Sequence, residues 1–310
     1  MTKLMKELAE LPAGFSEPTA LPATTVEHDR WQGANRAWWE SHPMRYDWKD
    51  GIPYEEFSRE FFGEIDRRFF NAAGLYLPWK RLPFDALIDF DSLKEKDVLE
   101  IGVGNGSHAQ LLAARARTFT GIDLTEYAAK STTERMRVFG IAATVKQMDA
   151  ERMQFEDGSF DFIWSWGVIH HSANTRKILE EMHRVLKPGG EAVVMVYHRT
   201  FWEYYVQGSL LALLSGHAFT PAALHKSIQR RTDGAMARYY KRTEWEELVG
   251  DLFAVKDVRI YGKKTELVPI PAGKVKDALV GAIPNAVSRF FTNTCGWGSF
   301  LVARLRKEAV

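Results

Sequence analysis

The sequence predicts an α/β fold built on a doubly wound, mostly parallel sheet of seven strands. Three observations lead there. Between residues 96 and 200 short apolar runs alternate with amphipathic stretches, the pattern of strands buried on both faces and joined by crossover helices. A glycine-rich turn, Gly102, Gly104 and Gly106, directly follows the first of those runs. An acidic residue, Asp123, ends the second, about 20 residues on.

Residues 1–30 are rich in Pro, Ala, Thr and Glu, and Pro12, Pro18 and Pro22 interrupt any helix, so a flexible N-terminal arm is expected. Residues 31–95 are dense in aromatics and set Phe57, Phe61 and Ile65 at helical spacing, which predicts a helical cap packed on another part of the chain. Strands are placed at 98–101, 118–123, 142–148, 160–164 and 191–197. Before the fifth, a helix carries Ile178, Leu179, Met182, Val185 and Leu186 on one face and is stopped by Pro188, Gly189 and Gly190. An insertion over about 200–240 joins an apolar patch (Leu210, Leu211, Leu213, Leu214) to a basic run (His225, Lys226, Arg230, Arg231), and should fold over the open end of the sheet as a helical lid. A helix at 243–252, a strand at 254–261, a second helical insertion within 265–295 and a last strand at 298–305 complete a domain spanning 96–310.

Composition narrows the function. The 310 residues carry 41 Lys and Arg against 40 Asp and Glu, so the strongly basic face of a nucleic-acid binder is not indicated. A single cysteine, Cys295, excludes an intrachain disulfide and makes a cysteine-based zinc site improbable; no metal is expected. The first ten residues lack the apolar core of a secretory signal, and no apolar run approaches the roughly 20 residues that span a bilayer. A cytoplasmic protein without stable membrane insertion is the expectation. Assembly as a homodimer stays open.

The glycine turn suits a nucleoside ligand. Glycine lets backbone N–H groups approach a ligand closely, a helix N-terminus adds positive potential, and a carboxylate such as Asp123 can accept both hydroxyls of a ribose. The spacing decides which nucleoside. A dinucleotide fingerprint would require glycine where Ser107 or Ala109 stands, so pyrophosphate binding is disfavoured. Glu100, just ahead of the turn, suits a cationic ligand such as S-adenosylmethionine, with its sulfonium and ammonium groups.

Five stretches in order, VLEIGVGNG (98–106), GIDLT (121–125), QMDAERM (147–153), FDFIWSWGVIHHS (160–172) and RVLKPGG (184–190), resemble the seven-stranded, class I S-adenosylmethionine-dependent methyltransferases with their Rossmann-like fold. The likeness is nearest to the small-molecule branch that includes quinone-biosynthesis methyltransferases. It covers 96–200 well and reaches 305 more loosely, since in that family two further strands end the sheet, the last antiparallel. The resemblance implies that Gly102, Gly104, Asn105 and Gly106 hold the methionyl part and Asp123 the ribose. Asp149 and Ala150 would take the adenine amino group, Leu124 would pack on its ring, and backbone near Ser165 and Trp166 would line the methionyl end.

Methyl transfer is an in-line displacement that needs alignment, exclusion of water, and a base only where the acceptor has a proton to lose. Topology places His170, His171, Tyr197 and His198 at the C-terminal edge of the sheet, and imidazole titrates in the right range for a base. Tyr46 is a candidate for closing over the cofactor, and Tyr46, His198 and Tyr240 for facing the acceptor. The sequence thus reads as a methyltransferase acting on a small, partly apolar acceptor. A non-catalytic S-adenosylmethionine-binding scaffold or sensor is the alternative.

Overall fold

The computed structural model describes residues 17–47, 50–214, 220–270 and 273–309, with only the backbone described at 211 and 214. Helix α1 (Thr25–Ser41) is started by Thr24, whose Oγ1 accepts a hydrogen bond from Glu27 N (3.1 Å), and it buries His28, Trp31, Gln32, Asn35 and Trp38 at helical spacing. Helix α2 (Arg59–Tyr76) is capped by Ser58 and turns Phe61, Phe62, Ile65, Phe69, Ala73 and Tyr76 inward. Together they cap the sheet that follows.

The chain then alternates: β1 (Asp97–Ile101), α3 (Ser107–Ala113), β2 (Thr118–Asp123), α4 (Glu126–Phe139), β3 (Thr144–Gln147), β4 (Phe160–Trp166), α5 (Thr175–Val185) and β5 (Leu186–His198). A wide π-helical turn (Phe201–Gln207), α6 (Gly208–Leu214) and α7 (Pro221–Gln229) lead to β6 (Tyr239–Tyr240), α8 (Arg242–Val249) and β7 (Ala254–Tyr261). Helices α9 (Lys274–Ala282) and α10 (Asn285–Arg289) precede β8 (Phe300–Arg306). The strand order is β3-β2-β1-β4-β5-β8-β7, parallel except for β8, which runs antiparallel to both of its neighbours.

Side chains alternate across the sheet with the strand period of two. Leu99, Ile101, Ile163, Val194 and Val196 pack with Ile178, Met182 and Trp245 on one face; Val98, Phe162, Trp164, Val193 and Met195 pack with Phe69, Ala109, Leu112 and Met136 on the other. That double coverage explains why the strands read as nearly continuous apolar runs. The order reverses at β1, between β2 and β4, so a crevice opens at the C-terminal ends of those strands.

Four local expectations need correction. The described part of the supposed flexible arm, 17–30, is tied down: Pro18 O accepts from Tyr239 N (3.1 Å), Ala20 O accepts from Arg238 Nε (2.8 Å), and α1 has already begun at Thr25. Pro12 and the rest of 1–16 lie outside the described residues. Leu186 belongs to β5, not to the helix before it, because Gly189 (φ 79°) lets the strand continue past Pro188 through an irregular register. An eighth, two-residue strand, β6, lies parallel to the end of β5 (Tyr197 opposite Tyr239, His198 opposite Tyr240). Of the apolar patch in the first insertion, Leu210 and Leu213 are exposed, and the side chains of Leu211 and Leu214 lie outside the described residues.

Candidate active site

The turn after β1 is shaped by three left-handed glycines with different duties. Gly102 (φ 81°) donates to Ile122 O (2.7 Å), and a Cβ there would stand 2.2 Å from Val168 Cγ2. Gly104 (φ 53°) donates to Asp123 Oδ2 (3.1 Å) and leaves open space where a Cβ would be, facing the crevice. Gly106 (φ 79°) does not line the crevice; its left-handed backbone, and a Cβ that would stand 3.0–3.1 Å from Arg135 and Thr132, favour glycine there without a ligand. Asn105 lines the crevice, but its amide is spent on clamping the turn: Nδ2 donates to Met44 O (2.8 Å) and Oδ1 accepts from Ser131 Oγ (2.8 Å).

Around this turn lies a cavity of about 580 Å³ whose walls come from α1, α2, the ends of β1, β2, β4, β5 and β8, and both insertions. At one end stand Asp123, Leu124, Asp149 and Ala150. Asp123 accepts from Gly104 N, Thr125 N (3.0 Å) and Thr125 Oγ1 (2.8 Å); burial pushes its carboxyl upward and those three donors pull it back. Asp149 accepts from Glu151 N (2.9 Å) and from Gln32 Nε2 at 3.0 and 3.1 Å, so α1 reaches directly onto this wall. One turn along, Asn35 lines the same end, is 5% exposed, and its Oδ1 has no hydrogen-bond partner.

The opposite end is aromatic and apolar, with Tyr46, Phe69, Tyr76, Trp166, Met195, Tyr197 and Phe300 in its walls and Asp233, Lys263 and Thr265 as polar points. Tyr46 holds a left-handed backbone (φ 60°), secured by Arg68 Nη1 donating to its carbonyl (3.0 Å) and by stacking on Phe69 at 5.2 Å. Burial first, then the Asp233 and Asp66 carboxylates, push its phenol upward. His171, 3% exposed, lines the cavity between the two ends. Its Nδ1 donates to Met236 O (2.7 Å), which in the neutral ring leaves the lone pair on Nε2. Gly234 (φ 91°) makes room for that ring, since a Cβ would approach Nδ1 to 2.6 Å.

Several expected residues stand elsewhere. Glu100 does not line the cavity; it is 2% exposed beneath the turn, with His108 Nδ1 3.9 Å from its Oε1 and Oε2 unpartnered. Burial and Asp123 push its carboxyl well up, so a fixed charge aimed at a cationic ligand is not what the fold provides there. Ser165 itself is fully buried, its Oγ donating to Ile101 O (3.3 Å), while the residues that follow it, Trp166 and Gly167, do line the cavity. His170 is enclosed behind Tyr197, ring centroids 4.0 Å apart, with neither nitrogen partnered; burial drives its pKa well down and keeps the ring neutral. His198 turns away, its Nδ1 donating to Gly298 O (2.9 Å), and Tyr240 packs in the core against Trp245.

Sequence reasoning passed over Gln32, Asn35, His108, Asp233 and Lys263, all of which line the cavity. A signal existed for the first two: they interrupt the face of α1 that is otherwise Trp31 and Trp38, and polar residues on a buried face need partners. Among the described residues no group of His, Cys, Asp or Glu could hold a metal ion.

Comparison with known proteins agrees with this geometry. Residues 99–194 match the methyltransferase-domain family. The ubiquinone biosynthesis O-methyltransferase of Pseudomonas aeruginosa is 31% identical over 108 residues, 34% of this chain and 47% of that protein. The protein of the same name from Dechloromonas aromatica is 26% identical over 208 residues, 61% of this chain and 83% of that one. The 2-methyl-6-phytyl-1,4-hydroquinone methyltransferase of Synechocystis is 33% identical over 131 residues, 39% of this chain and 41% of that protein. The chain thus spans about half the length (47%) of the first of these relatives. Among solved structures, a chain from the complex of the Haloferax volcanii Trm112 methyltransferase activator with a methyltransferase superposes with a TM-score of 0.52 at 17% identity, covering 79% of this chain and 93% of that one, a likeness of fold.

Proposed function

With residues 99–194 a class I methyltransferase domain whose cofactor is S-adenosylmethionine, we propose that the whole chain transfers a methyl group to a small, partly apolar acceptor by in-line displacement. One observation carries the reading: a single cavity joins the glycine turn and its carboxylates to an aromatic chamber closed by α1 and α2. The residues present fit the cofactor. Gly104 leaves open space toward the ligand, Asp123 and Asp149 offer acceptors, and Asn35 keeps a buried oxygen without a partner.

S-adenosylmethionine supplies a methyl group on a sulfonium. The chain's own part is to bind, orient, keep water out and move a proton. Asp123 would hold the ribose, Asp149 with Gln32 and Asn35 the adenine, and Leu124 with Ala150 the faces of the base. Tyr46, Phe69, Trp166 and Phe300 would pack the acceptor and exclude water from it. His171 is the group placed to take a proton from an acidic acceptor, with Nδ1 pinned by Met236 O so that Nε2 is the basic atom. The near-balance of charge and the lone Cys295 support a cytoplasmic enzyme of small molecules.

Isothermal titration with S-adenosylmethionine, followed by turnover against phenolic, amine and thiol acceptors, tests this. Binding together with transfer to a member of the panel is the expected result; folded protein that takes up no cofactor at millimolar concentration would end the proposal. His171→Gln should lower turnover while leaving cofactor affinity within about twofold, because a uniform-binding role would show in affinity instead.

A further inference from the structure

Helix α9 buries none of its nine residues. Isolated helices shorter than about 12 residues are marginal in water, so a helix that only half-buries Lys276 and Val280 is unusual unless something covers it. Val275, 69% exposed, and Leu279 lie one turn apart on it and face solvent. Beside them Val287 and Phe290 are exposed, and Arg289 Nη1 donates to Leu75 O (3.3 Å), which brings exposed Leu75 of α2 to the same region. From the first insertion comes Phe201, 73% exposed, next to Trp202, which stacks on Trp297 at 5.4 Å. Single exposed apolar residues are ordinary, whereas a group on adjoining elements marks an interaction surface.

Its charges say what kind. Lys263, Lys264, Lys274, Lys276 and Arg289 stand in this region, while its acids are Asp277, Glu203, whose carboxyl is near Lys263 and Lys276, and Glu266, the last buried and accepting from Ser299 Oγ (2.7 Å). Apolar residues on a short amphipathic helix with lysines between them suit an anionic lipid surface. A second copy suits it less, because a two-fold contact through this patch would set the lysines against their own equivalents. Lys263 and Thr265 also line the cavity, and the turn carrying Thr265 touches both α9 and α10, so the patch adjoins the cavity wall.

We propose that the face formed by α9, α10 and the neighbouring Leu75 and Phe201 docks on an anionic bilayer, and that the acceptor end of the cavity opens toward that surface. The docking goes beyond the methyl-transfer reading and does not require it, whereas naming that end of the cavity for the acceptor rests on that reading. Each cation near an anionic surface strengthens adsorption about fivefold.

Co-sedimentation of the full chain with phosphatidylcholine vesicles, with and without phosphatidylglycerol, is the test. Adsorption is expected on the anionic vesicles, weaker by at least about tenfold on the neutral ones, and reduced by added salt. The double variant Val275→Glu, Leu279→Glu should lose more than about twentyfold in adsorption while keeping its thermal midpoint and its affinity for S-adenosylmethionine, since neither residue touches the core or the cavity. Lys274→Glu with Lys276→Glu should lose the preference for anionic lipid. Wild-type protein that stays in the supernatant, or glutamate variants that sediment like wild type, would overturn the proposal. So would a dimer in analytical ultracentrifugation that the same glutamates dissolve.

Discussion

At the scale of single residues, Asn35 is the most informative. A buried polar atom without a partner costs about 1–3 kcal/mol, and Asn35 keeps its Oδ1 in that condition at the wall of the cavity. A ligand donor arriving there would remove the cost. Asn35→Ala is therefore expected to weaken S-adenosylmethionine binding about tenfold, without loss of thermal stability in the ligand-free protein. Unchanged affinity by calorimetry would show that the amide serves something else. Gly234 makes the complementary case at the acceptor end, because the space it leaves is filled by the His171 ring. Gly234→Ala should displace that imidazole and lower turnover by about a hundredfold with cofactor affinity kept, in line with the usual worth of a positioned base. Equal turnover in the variant would remove His171 from the mechanism.

At the scale of elements, the question is what holds the cap on the sheet. Helix α2 is clamped by Asp66, which takes a bidentate contact from Arg135 (2.9 and 3.0 Å), a fully buried guanidinium on α4. Helix α1 is held by Gln32 across Asp149 and Ala173 N, and by His28 Nε2 against Glu151 (2.6 Å). Burial alone would lower the pKa of His28, but its hydrogen bonds to Glu151 and Asp29 outweigh that and the net shift is upward. A histidine raised in the fold gives its full stabilisation below its unfolded pKa of about 6.5 and loses it as pH rises through the folded value. His28 thus contributes stability that fades between about pH 6 and pH 8, against buried histidines such as His170 whose lowered pKa adds stability as pH rises through about 6.5, and His28→Gln should make the midpoint of urea unfolding rise more steeply with pH over that range. An equal slope in both proteins would place the pH sensitivity elsewhere. These anchors also show what the sequence could and could not reveal. Strands β1, β4 and β5 were legible because burial on both faces leaves a nearly unbroken apolar run, whereas β3 (TVKQ) is an exposed edge strand. The anchors of α1 were not, since His28 and Gln32 are bonded to partners more than a hundred residues away, and Pro18 and Pro22 suggested a loose segment where long-range hydrogen bonds hold one.

At the scale of the whole molecule, the end of the cavity beside the glycine turn was readable and the aromatic end was not. Gly102, Gly104, Asp123 and Asp149 lie at the ends of strands whose order fixes where they meet. Glu100, Ser165 and His198 sit on or beside the same strands, yet the pleat and the local hydrogen bonds turn them from the cavity, a distinction that needs coordinates. The aromatic end of the cavity is assembled from α2, β5, β8 and the insertions, which no local spacing brings together. Because every wall comes from a different part of the chain, a ligand bound there should tighten all of them at once. Saturating S-adenosylmethionine at 100 times its Kd is worth about 2.7 kcal/mol, or roughly 5 °C in Tm for a chain of this size. The gain should be distributed in a particular way. Amide exchange should slow in the turn after β1 and also through α1, whose Gln32 and Asn35 line the cavity, whereas α9, which does not line it, should exchange as before. Slowing confined to the turn would mean that α1 is a fixed part of the fold and not a wall that responds to the cofactor.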